Sequence, residues 1–119
     1  MANSTFKVPA HPSEGIKPSN LIPKASFTTD ATEETTHRFY VADDGSVATG
    51  VWECDPHRIE IDSYPINEQM TIMAGKLILT NEAGVVETFG PGEVVFVSKG
   101  SKLSWEVTER LRKYFMTAA

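Results

Sequence analysis

The sequence points to one all-β domain closed as a jelly-roll β-barrel. Two patterns carry this. Turn signals recur roughly every 8–12 residues, the spacing of a sandwich or barrel, and no apolar stretch holds a convincing helical period. The third observation is size. The 119 residues suffice for one domain with a modest core, and closing the sheet removes edges that would otherwise pair with other chains.

Residues 1–25 contain Pro9, Pro12, Pro18 and Pro23. Proline lacks a backbone donor and fixes φ, so neither a helix nor a central strand fits there. An extended arm is expected, with Phe6, Val8, Ile16, Leu21 and Ile22 available to pack on the barrel or on a partner subunit. The alternative is a partly disordered terminus. The barrel itself is assigned to residues 26–119.

Arg38-Phe39-Tyr40-Val41 is aromatic and β-branched, as strands prefer. The turn tetrad Asp43-Asp44-Gly45-Ser46 follows, with Val47 to Glu53 as the return strand. Arg58 to Ser63 alternates, with Ile59 and Ile61 on one face and Arg58, Glu60 and Asp62 on the other. Met70 to Met73 leads into Ala74-Gly75-Lys76, read as a short turn before a strand from Lys76 to Thr80. Asn81-Glu82-Ala83-Gly84 closes a hairpin with Val85 to Phe89. Gly90-Pro91-Gly92 turns into Val94 to Val97, which has the look of a buried strand. Ser98-Lys99-Gly100 turns again, Lys102 to Val107 is a strand, and Arg112 to Met116 is the last. Only Val107 to Tyr114 could pass for a turn of helix.

The net charge of −5, with a pI near 5.1, argues against a nucleic-acid binder and against anionic membrane surfaces. The single cysteine, Cys54, allows neither an intrachain disulfide nor a cysteine-based zinc site. No signal peptide is visible, and no run approaches the roughly 18 apolar residues of a membrane span. A soluble, cytoplasmic protein is the expectation.

Glu68-Gln69-Met70-Thr71-Ile72-Met73-Ala74-Gly75 places a glutamate seven residues before a turn glycine. A hairpin, Phe89-Gly90-Pro91-Gly92-Glu93, the strand Val94 to Val97 and Lys99-Gly100 follow. This order resembles the two motifs of the cupin superfamily, whose fold is the double-stranded β-helix. Gly50-Val51-Trp52-Glu53-Cys54, Tyr64-Pro65, Trp105-Glu106-Val107 and Arg112-Lys113-Tyr114 narrow the likeness. They are similar to the small single-domain cupins of the ureidoglycine aminohydrolase and ethanolamine-utilisation types.

The resemblance implies a site as well as a fold. Metal-binding cupins hold their ion with two histidines and a glutamate from the first motif and a histidine from the second. Here the glutamate matches Glu68. The histidine positions fall on Asp62, Tyr64 and Leu103, and the proline usual in the second motif is Ser98. A transition ion in such a barrel prefers imidazole, so no metal cofactor is expected. The alignment implies that Asp62, Tyr64, Glu68, Leu103 and Trp105 face the barrel mouth, joined by Trp52. For the two tryptophans, plain core packing is the competing reading. A buried Glu68 needs a partner, and Lys113, in the C-terminal motif, is proposed to pair with it. A surface position for Lys113 is the alternative.

His11 and His37 read as surface residues. His57, next to Cys54-Asp55-Pro56, reads as a loop residue, because two ligands from one loop do not make a site. No recognised spacing places a base beside Cys54.

The expected function is small-molecule binding in the barrel mouth near Glu68, by Trp52, Asp62, Tyr64, Glu68, Trp105 and Lys113. The likeness suggests nitrogen-containing or carboxylated metabolites. Whether a reaction is catalysed stays open. A homodimer is expected. The alternatives to this function are a metal-dependent cupin enzyme with atypical ligands, and a non-enzymatic dimeric structural or regulatory subunit clasped by the arm.

Overall fold

The computed structural model describes residues 8–9, 17–18 and 34–119. Every regular element among them is a strand: β1 (Lys17–Pro18), β2 (Glu34–Val41), β3 (Val47–Cys54), β4 (His57–Ile61), β5 (Asn67–Asn81), β6 (Val86–Phe89), β7 (Val94–Val97) and β8 (Leu103–Ala118). All pairings are antiparallel.

Two long strands organise the barrel. β5 and β8 pair along nearly their whole length, from Asn67↔Ala118 to Asn81↔Leu103. Beyond β8, its C-terminal half pairs with β3 and its N-terminal half with β4. Beyond β5, its N-terminal half pairs with β7 and its C-terminal half with β6. The two long strands therefore run from one face of the jelly roll into the other.

The crossing falls at Gly75. The β5–β8 register slips between Ile72 and Leu77. Gly75 takes φ +90°, and a Cβ there would stand 2.2 Å from the carbonyl oxygen of Arg110. Only glycine fits such a bend. The expected turn at 74–76 is thus a kink inside one strand of 15 residues. Likewise the two expected C-terminal strands are one strand of 16 residues, and the stretch from Val107 to Tyr114 is strand, not a helical turn.

Alternation fills the interior from β8 with Leu103, Trp105, Val107, Leu111, Lys113 and Phe115, and from β5 with Glu68, Met70, Ile72 and Leu77. Met70, Ile72, Leu77 and Leu111 are essentially sealed, and each such side chain contributes about 1.5–3 kcal/mol. β7 corrects the expectation of full burial. Val95 and Val97 face the core, whereas Val94 and Phe96 are exposed, because no second layer among the described residues covers that face of the edge strand. On the outside, Arg110 bridges Glu53 and Asp55, and Arg112 also reaches Glu53, tying β3 to β8.

β1 adds a short edge to β2 through Lys17↔Thr36 and Pro18↔Thr35, a position that tolerates proline. Val8 is half-buried. Phe6, His11, Ile16, Leu21 and Ile22 lie outside the described residues. β2 begins at Glu34, earlier than the aromatic run indicated.

Candidate functional site

The barrel interior holds a cavity of about 410 Å³, within the range of small-molecule sites. Its walls are mainly apolar and include both tryptophans, Trp52 and Trp105. The strand registers set their positions. Trp52 on β3 lies opposite Lys113 on β8, and Trp105 lies opposite Ile59 on β4.

Glu68 is the polar centre of this cavity. Its Oε1 accepts a 2.6 Å hydrogen bond from the Tyr64 hydroxyl. Its Oε2 accepts a 2.6 Å bond from Lys113 Nζ. Lys113 is 4% exposed and Glu68 8%, so this ion pair is removed from solvent. Lys113 enters from the strand beside Glu68, two inward positions away along the register, and its long stem passes Met70, whose Sδ lies 3.6 Å from Nζ. The ammonium also lies 4.8 Å from the Trp52 ring centroid and 5.0 Å from that of Trp105. Two aromatic faces and a carboxylate together stabilise the buried charge. The indoles stand edge to face, 6.2 Å apart. Burial first, and then Glu68, push the Tyr64 hydroxyl far above its ordinary range. It stays protonated and serves as a donor.

A second polar cluster adjoins the first. Trp105 Nε1 donates to His57 Nε2 at 3.0 Å. That nitrogen is therefore the bare one, and Nδ1 carries the proton, which it donates to the Asp55 carbonyl at 2.7 Å. The ring is neutral, and burial lowers its pKa. Cys54 Sγ lies 3.3 Å from Nδ1, and burial pushes the thiol up to about 12. Sequence reasoning placed His57 in a loop; it is 2% exposed, at the first position of β4. The bond from Trp105, 48 residues away, holds it inside. His37, expected at the surface, is half-buried with its ring against Phe39.

Of the residues expected to bind ligand, the structure brings Trp52, Tyr64, Glu68, Trp105 and Lys113 to one cavity. Asp62 is not among them. β4 ends at Ile61, and Asp62 is exposed in the following loop, outside the lining. Leu103 is also elsewhere. It is buried and lines a groove toward Phe89 and Phe96. Glu34 was missed. It is 5% exposed, lines the cavity, and accepts a 2.8 Å bond from Trp52 Nε1. A strand beginning at Glu34 and pairing it with Cys54 was the signal that would have found it.

The family model of the EutQ-like cupin domain matches residues 41–115. The chain belongs to the EutQ-like cupin family. A DUF861-family protein from Thermotoga maritima is 31% identical, with a TM-score of 0.51, over 55% of this chain and 73% of that one. A DUF861-family protein of unknown function from Pseudomonas syringae pv. tomato superposes with a TM-score of 0.81 at 22% identity. That match covers 87% of this chain but only 44% of the other, so this cupin spans under half of that relative's length. The EutQ protein of Clostridium difficile gives a TM-score of 0.63 at 19% identity, covering 74% and 69% of the two chains. No curated protein matches the chain.

Cupin barrels commonly hold a divalent metal, and the side chains here do not suit one. At the ligand positions, Leu103 offers no donor and Asp62 is exposed outside the cavity lining. The Tyr64 hydroxyl stays protonated, and both Glu68 oxygens are engaged. Among the described residues no group of three or more His, Cys, Asp or Glu side chains could hold a metal ion. The cation beside Glu68 is the protein's own ammonium. No helix among the described residues is long and apolar enough to cross a membrane.

Proposed function

We propose that this cupin binds a small organic molecule in the barrel cavity without a metal ion. The observation that carries the reading is the cavity of about 410 Å³, walled by both tryptophans and closed at its polar side by the Tyr64–Glu68–Lys113 cluster. The cluster is internally satisfied, so it shapes and polarises the wall rather than demanding a charged ligand at that point. The likeness to ureidoglycine-type and ethanolamine-utilisation-type cupins points the same way, toward small nitrogen-containing or carboxylated metabolites. Binding is the function supported: the phenol, carboxylate and ammonium of the wall are already bonded to one another.

Trp52 and Trp105 are the only tryptophans of the sequence, and both line the cavity. Intrinsic emission therefore reports directly on its contents. Benzyl alcohol, a neutral one-ring probe, is expected to change that emission saturably, and Ala48→Phe, which fills the wall, is expected to abolish the response. Ile61→Phe at the rim serves as a second variant. Adding manganese or zinc is expected to leave the emission unchanged. A response that never saturates, or that survives both substitutions, contradicts the reading.

A further inference from the structure

The cavity lining carries four charged side chains: Glu34, Glu68, Lys113 and Arg38. Three are engaged. Glu68 and Lys113 hold each other, and Glu34 holds the Trp52 indole. Arg38 is different. It is exposed at the cavity mouth and has no hydrogen-bond or ion-pair partner among the described residues.

A backbone irregularity builds this mouth. Arg38 pairs with Gly50, but Tyr40 pairs with Thr49, so one extra residue, Phe39, sits in β2. The bulge reverses the alternation, and Val41 joins Arg38 on the inward face. Gly50 permits it: a Cβ there would stand 2.1 Å from the His37 carbonyl oxygen. Bulges of this kind re-aim side chains beside binding sites. Thr117 pairs with Ala48, which pairs with Val41, placing Thr117 in the row next to Arg38. It also lines the cavity, and its hydroxyl has no partner among the described residues.

We propose that the ligand is a small monocarboxylic acid, its carboxylate held by the Arg38 guanidinium with the Thr117 hydroxyl as a further donor. This rests on reading the cavity as a ligand site. The planar fork of a guanidinium matches a carboxylate with two parallel bonds. One unpaired cation suits a monoanion better than a doubly charged phosphate. Among the described residues of the lining a cationic ligand finds no open carboxylate, because both Glu68 oxygens are taken and Glu34 is bonded to Trp52. The apolar body of the acid then lies inward, along Ile61, Ile66 and Phe115.

The test uses the full chain and three probes with one body and different heads: 3-phenylpropanoate, 3-phenylpropanamide and 3-phenylpropylamine. Tryptophan emission and calorimetry give the affinities. The acid is expected to bind roughly tenfold or more tightly than the amide, with a preference that shrinks as salt is raised. Arg38→Gln is expected to erase that preference without lowering the melting temperature, since Arg38 has no structural partner among the described residues to lose. Arg38→Lys is expected to keep part of it. Equal binding of acid and amide, or a preference that survives Arg38→Gln, overturns the carboxylate assignment and leaves the cavity reading standing. Binding of none of the three probes up to millimolar concentration overturns both.

Discussion

Two polar clusters lie under the two tryptophans of this barrel, and they differ in charge and in what they border. Tyr64, Glu68 and Lys113 form a charged group on the wall of the cavity. Asp55, His57 and the Trp105 indole form a neutral chain of hydrogen bonds running away from the cavity to the backbone. Burial is similar in both. In the first, each charge is stabilised by its opposite, and the ammonium also by two aromatic faces. In the second, burial has removed the charge, leaving a ring with one donor and one acceptor, both engaged. Burial alone therefore does not mark a site. A histidine reads as the reactive group by type, yet here it is a fixed strut, while a lysine and a glutamate border the open volume.

That contrast can be broken experimentally, beginning where the effect is largest. Lys113→Met leaves the Glu68 carboxylate buried beside apolar atoms, and is expected to cost about 3–5 kcal/mol in urea denaturation. Adding Glu68→Gln to Lys113→Met removes the stranded charge, so the double variant is expected to be more stable than the single one. Trp105→Phe strands the bare nitrogen of His57, and its loss is expected at about 1–3 kcal/mol.

The neutral cluster also has a pH signature. Burial depresses the folded-state pKa of His57 below 6.5. As pH falls below roughly 6.5, the unfolded chain takes up a proton that the native ring resists, so stability is full above that value and lost on acidification. His57→Gln keeps an amide in place of the ring and is expected to flatten this loss in denaturation curves recorded across that range. The smallest effect is expected at Cys54. With its thiol near 12 and its side chain sealed, alkylation by iodoacetamide at neutral pH is expected only at the rate of unfolding, measured by mass spectrometry.

Much of the charged cluster was legible in the sequence. A glutamate in an alternating strand demands a partner, and the C-terminal Arg112-Lys113-Tyr114 likeness supplied one. The jelly roll was legible because turn residues and alternation are local signals. The rest was set by tertiary pairing. Gly75 has the local signature of a turn, and only the approach of the Arg110 carbonyl turns it into a kink in a continuous strand. The bulge at Phe39 changes which residues of β2 face inward, and no single-strand pattern records it. Asp62 follows the alternation of β4 on paper, but the strand stops one residue earlier. His57 follows a proline and looks like loop; its acceptor role depends on an indole from the far end of the chain.

The central claim is that the cation inside this barrel is the Lys113 ammonium. Nitrogen-15 spectroscopy of the lysine side chains tests it most directly. One ammonium resonance is expected to exchange slowly with water, to be shifted by the neighbouring indole rings, to show contacts to Trp52 and Trp105 protons, and to vanish in Lys113→Met. If every lysine amine exchanges rapidly with water and none contacts an indole, Lys113 does not occupy the interior.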